Sequence, residues 1–422
     1  MRGNIMTKIK TFRRLMSTGL LSLAILPVAV HAGSVVDPLV AAVGPESRVP
    51  IAIQNLRWAM LDSNVNTLTF RSMDQLFTTR YVARSGPISP LIHEDRPLDF
   101  SYQFEGVSYQ PEQFLDRTFT NGLLIMKDDK IVYENYRNNT SQDTHFMAWS
   151  MTKSLVSILV GIALEEGRIK SLDEDITLYL PELSKGAYKG VTIRQVLSMS
   201  SGVKYEERYD FANPGTAARN HILALVKNVA RFVEPAKTIE RLHEPGTVQE
   251  YKTIDTAVLG LLLERVSGGS NVSNYMAQHL WEPLGAQADG FFIMDGEPGV
   301  GREFTGAGYS ATMRDFARVG SMMLNNGRIN GKQIVSPEWV KMSTEPFLKE
   351  DPKLGGYGYQ WWTMPNTTAY SAIGLQGQYI YVDPDTRTVI VKLSYFPQAE
   401  MDIAEQETMA FFSAVSAWNP KK

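Results

Sequence analysis

Two parts of the chain show the alternating, β-branched pattern that is typical of β-strands. Residues 122–136 contain two apolar runs separated by Asp128-Asp129, which predicts two strands joined by a tight turn. Residues 378–395 repeat this arrangement around a turn at 383–386, and residues 357–364 add a shorter strand-like run. Strand-forming segments therefore lie on both sides of a long central region.

Helical periodicity dominates that central region. Residues 150–166 have the apolar spacing of a buried helix that ends at Gly167, and Thr253–Val266 shows the same spacing before two glycines. Helical patterns over about 172–285 predict a mainly helical lobe inserted between the strands, and Ile403–Trp418 predicts a closing helix. An antiparallel sheet flanked by helices, with an inserted helical lobe, is an α+β fold.

The first 118 residues carry weaker patterns. Residues 1–32 contain five positive charges, no negative charge and a short apolar run, Leu20–Val30, and these features predict a secretory signal peptide. A membrane-spanning helix needs roughly 20 apolar residues, so we expect cleavage after Ala32 and no stable membrane anchor. Residues 33–118, rich in proline and polar side chains, are predicted to form an N-terminal extension that wraps a body at 119–418.

Composition narrows the possible chemistry. The chain of 422 residues has no cysteine, which excludes disulfides, thiolate metal sites and cysteine nucleophiles. The net charge of −3 becomes −8 if the five positive charges of the leader are removed, so we expect no nucleic-acid partner. We find no histidine pair at zinc-binding spacing and no phosphate-binding glycine loop, and we therefore predict neither a metal nor a cofactor. The expected location is the periplasm or the medium.

Ser150 and Lys153 lie three residues apart at the start of the first predicted helix. Positions i and i+3 share one face of a helix, so their side chains should point the same way. A serine hydroxyl needs an adjacent base to act as a nucleophile. A lysine can be that base when burial lowers its pKa, and the apolar residues 155–164 supply the burial. This pair is our candidate nucleophile and base.

The same spacing occurs a second time, at Ser201 and Lys204. There a glycine follows the serine and no helical pattern follows the lysine, which indicates a loop. The serine–lysine spacing alone is therefore weak evidence for an active site. Sequence elements further along the chain are needed to distinguish the two pairs.

Two later elements complete an ordered set. Tyr251-Lys252-Thr253 directly precedes a predicted helix, and Ala372-Ile373-Gly374 leads into the last hairpin. With Ser150 and Lys153 they resemble the Ser-x-x-Lys, Tyr-x-Asn and Lys/His-Thr-Gly motifs of the serine β-lactamase and penicillin-binding-protein superfamily. The resemblance covers about residues 120–415, and the run Gly374-Leu-Gln-Gly377-Gln is most similar to the 6-aminohexanoate-dimer hydrolase and esterase branch. It implies a β-lactamase/transpeptidase-like fold.

The resemblance also implies roles for individual residues. Ser150 would attack a carbonyl carbon and form an acyl-enzyme, with Lys153 and Tyr251 as a general base pair. We expect Tyr251 to lie close to Lys153, because a neighbouring cation would lower the pKa of the phenol. By family position, the backbone N–H groups of Ser150 and Leu375 would hold the oxyanion.

Further residues are candidates for contacts with substrate. Tyr209, or alternatively Tyr205, could line the pocket from the loop after Gly202, and a surface-loop aromatic is the ordinary interpretation of each. Gly374 and Gly377 suit an edge strand that a substrate approaches closely. Trp361-Trp362 either borders the cleft or belongs to a packed strand.

Departures from the family motifs bear on the substrate. The asparagine of the second motif and the lysine or histidine of the third are absent, which disfavours efficient β-lactamase activity. The amide-hydrolase relatives place an acidic residue in the helical lobe for the substrate's ammonium group, yet residues 211–233 contain none. Either this segment is a solvated helix face, or the site prefers neutral or anionic acyl groups.

The sequence thus predicts an exported serine hydrolase that cleaves a small ester or linear amide. Two alternatives stay open. One is a β-lactamase or D-alanyl-D-alanine carboxypeptidase acting on peptidoglycan-type substrates, and the other is a protein of the same fold that binds without turnover.

Overall fold

The computed structural model describes residues 47–209, 214–348 and 355–420, and these residues form the sheets and helices on which the site is built. The α-helices are α1 (Ile51–Ala59), α2 (Asn66–Thr69), α3 (Met73–Leu76), α4 (Pro111–Arg117), α5 (Met151–Glu165), α6 (Ile193–Leu197), α7 (Thr216–His221), α8 (Thr253–Val266), α9 (Val272–Met276), α10 (Glu282–Leu284), α11 (Met313–Leu324), α12 (Pro337–Thr344) and α13 (Met401–Ala417). Short 3₁₀ turns occupy Ile176–Leu178, Pro181–Leu183, Glu234–Lys237 and Gln398–Glu400, and π-helical turns occupy Ile222–Val226 and Ala277–Trp281.

The strands lie mostly at the two ends of the described chain. They are β1 (Thr79–Val82), β2 (Ile92–His93), β3 (Tyr102–Phe104), β4 (Val107–Tyr109), β5 (Thr120–Lys127), β6 (Lys130–Tyr136), β7 (His145–Met147), β8 (Gly290–Ile293), β9 (Tyr309–Thr312), β10 (Arg328–Ile329), β11 (Lys332–Gln333), β12 (Gly356–Tyr357), β13 (Trp362–Thr363), β14 (Tyr370–Gly374), β15 (Gln378–Asp383) and β16 (Thr388–Ser394).

An eight-stranded sheet is the central element of the fold. Its strand order is β12-β13-β14-β15-β16-β5-β6-β2, so the last hairpin of the chain pairs with the first predicted hairpin. The neighbours are antiparallel except for the short parallel pair of β2 with β6. In the register, Ile390 of β16 lies opposite Ile125 of β5, and every residue of both strands is buried. The two ends of the chain therefore build one core.

Local chemistry explains why these strands form hairpins where they do. Asp128 and Asp129 both have positive φ, at 50° and 62°, which matches a two-residue turn between antiparallel strands. In the second hairpin the Asp383 carboxylate accepts hydrogen bonds from the backbone N–H groups of Asp385 and Thr386, which closes the turn. Both hairpins predicted from the sequence are confirmed.

Helix α5 runs through the middle of the molecule beside this sheet. Thirteen of its fifteen residues are buried, so it is enclosed on all sides rather than on one face. It ends before Gly167, whose φ of +70° stops the helix as predicted. Helix α8 begins and ends at the predicted residues, Thr253 and Val266. In the described part of 172–285, regular structure is helical throughout, apart from isolated bridges.

The N-terminal part of the described chain contributes to both large sheets. Strand β1 forms the edge of a four-stranded sheet of order β1-β8-β9-β7, and β2 forms an edge of the eight-stranded sheet. The predicted boundary between an extension at 33–118 and the body stays a prediction, and the leader predicted at 1–32 lies outside the described residues. Within the described residues, no helix combines the length and apolar character that crossing a membrane requires.

Candidate active site

Ser150 occupies the junction between strand β7 and helix α5. The segment before it is fixed by a hydrogen bond from the Ala148 N–H to the carbonyl oxygen of Tyr309 in β9, at 2.8 Å. Trp149 has a φ of +46°, an unusual conformation for a bulky residue, and it turns the chain sharply into the helix. Ser150 is therefore presented at the N-terminus of α5, where it is 9% exposed.

Lys153 lies one helical turn further on and is buried, with 1% of its surface exposed. Its Nζ atom is 3.2 Å from the Ser150 Oγ, 3.2 Å from the Thr253 Oγ1 and 2.6 Å from the carbonyl oxygen of Gly306. Burial lowers the pKa of Lys153 from 10.5 to about 7. The predicted pair thus comes together in contact, and its lysine can accept a proton near neutral pH.

Tyr251 lies just before helix α8 and covers the same lysine. The Lys153 Nζ lies 4.8 Å from the centre of the Tyr251 ring, as the sequence predicted for a neighbouring cation. The expected lowering of the phenol's pKa is wrong, however. Burial raises the pKa of Tyr251 well above its usual value of 10, while a hydrogen bond with Ser150 opposes the rise and the Glu207 charge adds to it. The tyrosine is therefore a neutral hydroxyl group at ordinary pH.

A buried carboxylate that no sequence motif indicated adjoins this group. Glu207 is 4% exposed and accepts hydrogen bonds from the Thr253 N–H at 2.8 Å, the Thr253 hydroxyl at 2.5 Å and the Tyr209 hydroxyl at 2.9 Å. Glu207 precedes Tyr209 by two residues in the loop after Gly202. The loop that was predicted to line the pocket with Tyr209 therefore does contribute to the site. An acidic side chain in a polar loop gave no signal of burial.

The two tyrosines considered for the pocket lie in different surroundings. Tyr209 is half-buried and donates its hydroxyl hydrogen to Glu207, and its ring lies 6.0 Å from that of His221. Tyr205 is 4% exposed, and its hydroxyl oxygen accepts a hydrogen bond from Asn220. Of the two, Tyr209 is the one connected to the Lys153 group.

Strand β14 approaches the nucleophile at its C-terminal end. A methyl group on Gly374 would lie 2.2 Å from the carbonyl oxygen of Ala148 and 3.2 Å from the Trp149 Cβ, so this close approach requires glycine. Leu375, the predicted oxyanion donor, is the next residue in the chain. The buried Asn66 side chain holds the following turn by a 3.1 Å hydrogen bond to the Gln376 Oε1.

The glycines of this turn differ in what they do. Strand β14 is not an edge strand along its whole length, because β13 pairs with Tyr370 and Ser371, whereas Ala372–Gly374 lie beyond that pairing. Gly377 has a φ of +92°, and a methyl group there would lie 2.5 Å from the Phe396 ring. The structure explains Gly377 by the turn, and its predicted contact with substrate stays a prediction.

The two neighbouring tryptophans have different surroundings, and each matches one of the two interpretations that the sequence left open. Trp361 is completely buried and packs edge-on against Tyr370. Trp362 is half-buried and stacks on Tyr251, with ring centres 5.7 Å apart, and it packs edge-on against Tyr357 at 4.8 Å. Trp361, just before β13, therefore belongs to the core, whereas Trp362, the first residue of β13, adjoins the site.

The second serine–lysine spacing is not a site of the same kind. The Ser201 hydroxyl donates to the buried Asp255 carboxylate at 2.9 Å. Lys204 is exposed and pairs with Glu240 at 3.0 Å. The two side chains thus have different partners, as the predicted loop implied. Among the described residues, no group of His, Cys, Asp or Glu could hold a metal ion.

Comparison with known proteins agrees with this geometry. The family model described as Beta-lactamase matches residues 96–408. The 6-aminohexanoate-dimer hydrolase of Paenarthrobacter ureafaciens is 32% identical over 351 residues, which cover 79% of this chain and 86% of the relative. A presumed 6-aminohexanoate-dimer hydrolase from Bacillus anthracis superimposes with a TM-score of 0.75 at 21% identity, covering 85% of this chain and 95% of that one.

A more distant structure, a family VIII carboxylesterase, has a TM-score of 0.53 at 17% identity and covers 71% of this chain and 95% of its own. These matches define a class of serine hydrolases on the β-lactamase/transpeptidase-like fold. The chain belongs to the β-lactamase family, and within it to the branch of the 6-aminohexanoate-dimer hydrolase of Paenarthrobacter ureafaciens. Both the resemblance and the α+β fold predicted from the sequence are confirmed.

Proposed function

We propose that the protein hydrolyses a small ester or linear amide through an acyl-enzyme on Ser150. The observation that carries this proposal is the buried contact between the Lys153 Nζ and the Ser150 Oγ, 3.2 Å apart, beside Tyr251. A binding protein does not need a buried amine, which is costly to desolvate, against a serine at the start of a helix. That cost favours turnover over binding alone.

The first half of the reaction forms the acyl-enzyme. The Ser150 Oγ attacks the carbonyl carbon, and its proton passes to the neutral amine of Lys153. The negative charge that develops on the carbonyl oxygen is held by the N–H groups of Ser150 and Leu375, and the close approach at Gly374 sets their separation. When the tetrahedral intermediate collapses, the bond to the alcohol or amine breaks and that group leaves with a proton.

Tyr251 has a different part from the one first expected. Since its pKa is raised, it remains protonated and can pass its hydroxyl proton to the leaving group while receiving one from Lys153. A water molecule then attacks the acyl carbonyl, with the same groups accepting its proton. The products are the carboxylic acid and the regenerated serine.

The substrate class follows from the charges around the site. The third motif reads Ala372-Ile373-Gly374, so β14 offers no cation for the carboxylate of a β-lactam. Glu207 is 4% exposed and already accepts three hydrogen bonds within the protein, which disfavours its use for a substrate ammonium group. The rings of Trp362, stacked on Tyr251, and of Tyr357, edge-on to it, favour an apolar group. We therefore rank neutral esters and amides first.

The location of the activity is part of the proposal. The basic start, the short apolar run Leu20–Val30 and the small residue Ala32 support export to the periplasm or the medium. Mass spectrometry of the protein from a periplasmic extract checks this point. A mature N-terminus at Gly33 supports it, and an intact chain confined to the cytoplasm contradicts it.

A substrate panel tests the reaction. Purified protein is given p-nitrophenyl acetate and butyrate, 6-aminohexanoate dimer, a D-Ala-D-Ala peptide and nitrocefin, with the Ser150→Ala variant as background. We expect ester turnover that disappears in the variant, and a nitrocefin rate far below the ester rate. A dominant nitrocefin rate would reverse the ranking of substrates, and turnover retained by Ser150→Ala would overturn the mechanism.

A further inference from the structure

We propose that Glu207 is a positioning residue for the serine–lysine pair. Its buried carboxylate, acting through the Thr253 hydroxyl, holds the amine of Lys153 in place and keeps a negative charge beside it. This inference rests on the proposed function, in which Lys153 is the base for Ser150.

The hydrogen bonds of Glu207 all come from within the protein. The Thr253 N–H donates to Oε2, and the hydroxyl groups of Thr253 and Tyr209 both donate to Oε1. This carboxylate is 4% exposed and accepts three hydrogen bonds from the protein. It is also unavailable to an incoming ligand, so its action on the reaction passes through its neighbours.

Thr253 transmits that action because a hydroxyl group has a single hydrogen. Glu207 takes this hydrogen, at an oxygen–oxygen distance of 2.5 Å, and the lone pairs of the Thr253 Oγ1 are left for another donor. The Lys153 Nζ, 3.2 Å away, is that donor. The carboxylate thereby fixes the threonine as an acceptor and orients the amine between Thr253, Gly306 and Ser150.

Glu207 is also the charge that acts on the lysine. Burial lowers the pKa of Lys153, and the Glu207 charge opposes this, so the two together leave the pKa at about 7. The other groups on the packed elements are turned elsewhere or neutral. Asp255 of α8 accepts from Tyr188 and Ser201, Lys252 pairs with Glu250, and Tyr251 is a neutral phenol.

Glu207 therefore keeps Lys153 a stronger base than burial alone would leave it. The general effect of an opposite charge within 4–6 Å is a pKa change of about one to three units. Removing the charge should lower the pH at which Lys153 loses its proton, and it should leave a weaker base above that pH.

The test is the pH dependence of the labelling of Ser150 by a fluorophosphonate, which needs no knowledge of the natural substrate. In Glu207→Gln we expect the acidic limb of the labelling rate to move down by about one pH unit or more, and the plateau to fall. The matched control is Glu206→Gln, which removes the same charge from an exposed neighbour that pairs with Arg208. Its limb should coincide with that of the wild type.

A merely structural role gives a different result. Loss of labelling by the same factor at every pH, with the limb unmoved, overturns the inference, and so does a Glu207→Gln profile equal to the wild type. Should Glu207→Gln not fold, Thr253→Val provides the same test, because the ammonium form then loses an acceptor. Its limb should also move down, and an unmoved limb contradicts the inference.

The proposed function fails in a distinguishable way. A wild-type protein that is not labelled at any pH overturns the role of Ser150 itself, and this inference with it. A labelled wild type whose limb is insensitive to Glu207 overturns the inference alone.

Discussion

Lys153 and Lys392 are both buried lysines whose Nζ atoms contact a serine hydroxyl, Ser150 in the first case and Ser394 in the second. Burial lowers the pKa of both. Each amine also donates to a backbone carbonyl oxygen, that of Gly306 for Lys153 and that of Thr118 for Lys392. By composition and burial, the molecule contains two similar serine–lysine pairs.

Their surroundings differ in every respect that chemistry requires. Lys392 lies over the rings of Phe114 and Phe396, at 5.3 and 4.6 Å, and Ser394 is 1% exposed at the end of a central strand. Ser150 begins a helix and adjoins Tyr251 and the close approach of β14. A lowered lysine pKa is therefore insufficient, and the nucleophile also needs oxyanion donors, a proton relay and access to substrate.

Replacement of each lysine by methionine should give the largest difference in activity between the two serine–lysine pairs. Lys153→Met should reduce acylation of Ser150 by a fluorophosphonate about 10²–10⁴-fold, since the serine loses its base. Lys392→Met should leave the labelling rate within a few-fold of the wild type, because its amine lies in the core beside Phe114. Equal losses in the two variants would show that burial, and not position, determines the effect.

The close approach of β14 should have the next largest effect. Gly374→Ala places a methyl group against the Ala148 carbonyl oxygen, and it should displace the N–H of Leu375, the proposed oxyanion donor. We expect acylation to fall about 10²-fold, as for the loss of one oxyanion donor. The melting temperature is measured alongside, and an unchanged rate in a folded variant would contradict the assignment of Leu375.

The pH dependence follows from the lysine pKa. The neutral amine is the base, and the pKa of Lys153 is about 7, so the wild-type labelling rate should fall about tenfold for each pH unit below 7 and level off above it. A rate that is flat between pH 5 and 8 would exclude Lys153 as the group that titrates. The pH profile of the labelling rate is measured by stopping the labelling reaction at set times, with the reagent concentration held fixed.

The same pKa makes stability depend on pH. An unfolded lysine keeps its proton to about pH 10.5, whereas folded Lys153 loses it near 7, so between these values the unfolded state binds more protons and stability rises with pH. Lys153→Met removes this contribution. The wild type should therefore gain melting temperature relative to the variant between pH 7 and 9, and parallel curves would contradict burial of the amine.

The aromatic stack beside Tyr251 should have the smallest effect. Trp362→Ala should raise the KM for apolar esters about 2–10-fold with less change in kcat, since aromatic contacts contribute about 0.5–1.5 kcal/mol. Trp361→Phe is the control, because the buried neighbour should change the melting temperature but not the KM. The opposite outcome for the two variants would place Trp361 at the cleft.

The parts of the fold that the sequence predicts are those that local pattern determines. The hairpins, the buried helix α5 and the bounds of α8 follow from periodicity and turn residues, and they are confirmed. The contact of Ser150 with Lys153 follows from helix geometry in the same way. The family order then identifies Tyr251, which lies far away in sequence.

The remaining features depend on contacts between distant segments. Glu207 bonds to Thr253 across 46 positions, and Asn66 bonds to Gln376 across 310, so neither appears as a local pattern. The pKa of Tyr251 is governed by burial, which outweighs the expected effect of a nearby cation. In each case the missing quantity is the desolvation of a polar group, which only the packed structure supplies.

Mapping the fluorophosphonate adduct by peptide mass spectrometry tests the central claim most directly, since Ser150, Ser201 and Ser394 all lie near a lysine in sequence. We predict one adduct, on the peptide that contains Ser150, and none on the peptides that contain Ser201 or Ser394. A protein without an adduct, or an adduct on another serine while Ser150 stays unmodified, would contradict the claim that Ser150 and Lys153 form the active pair.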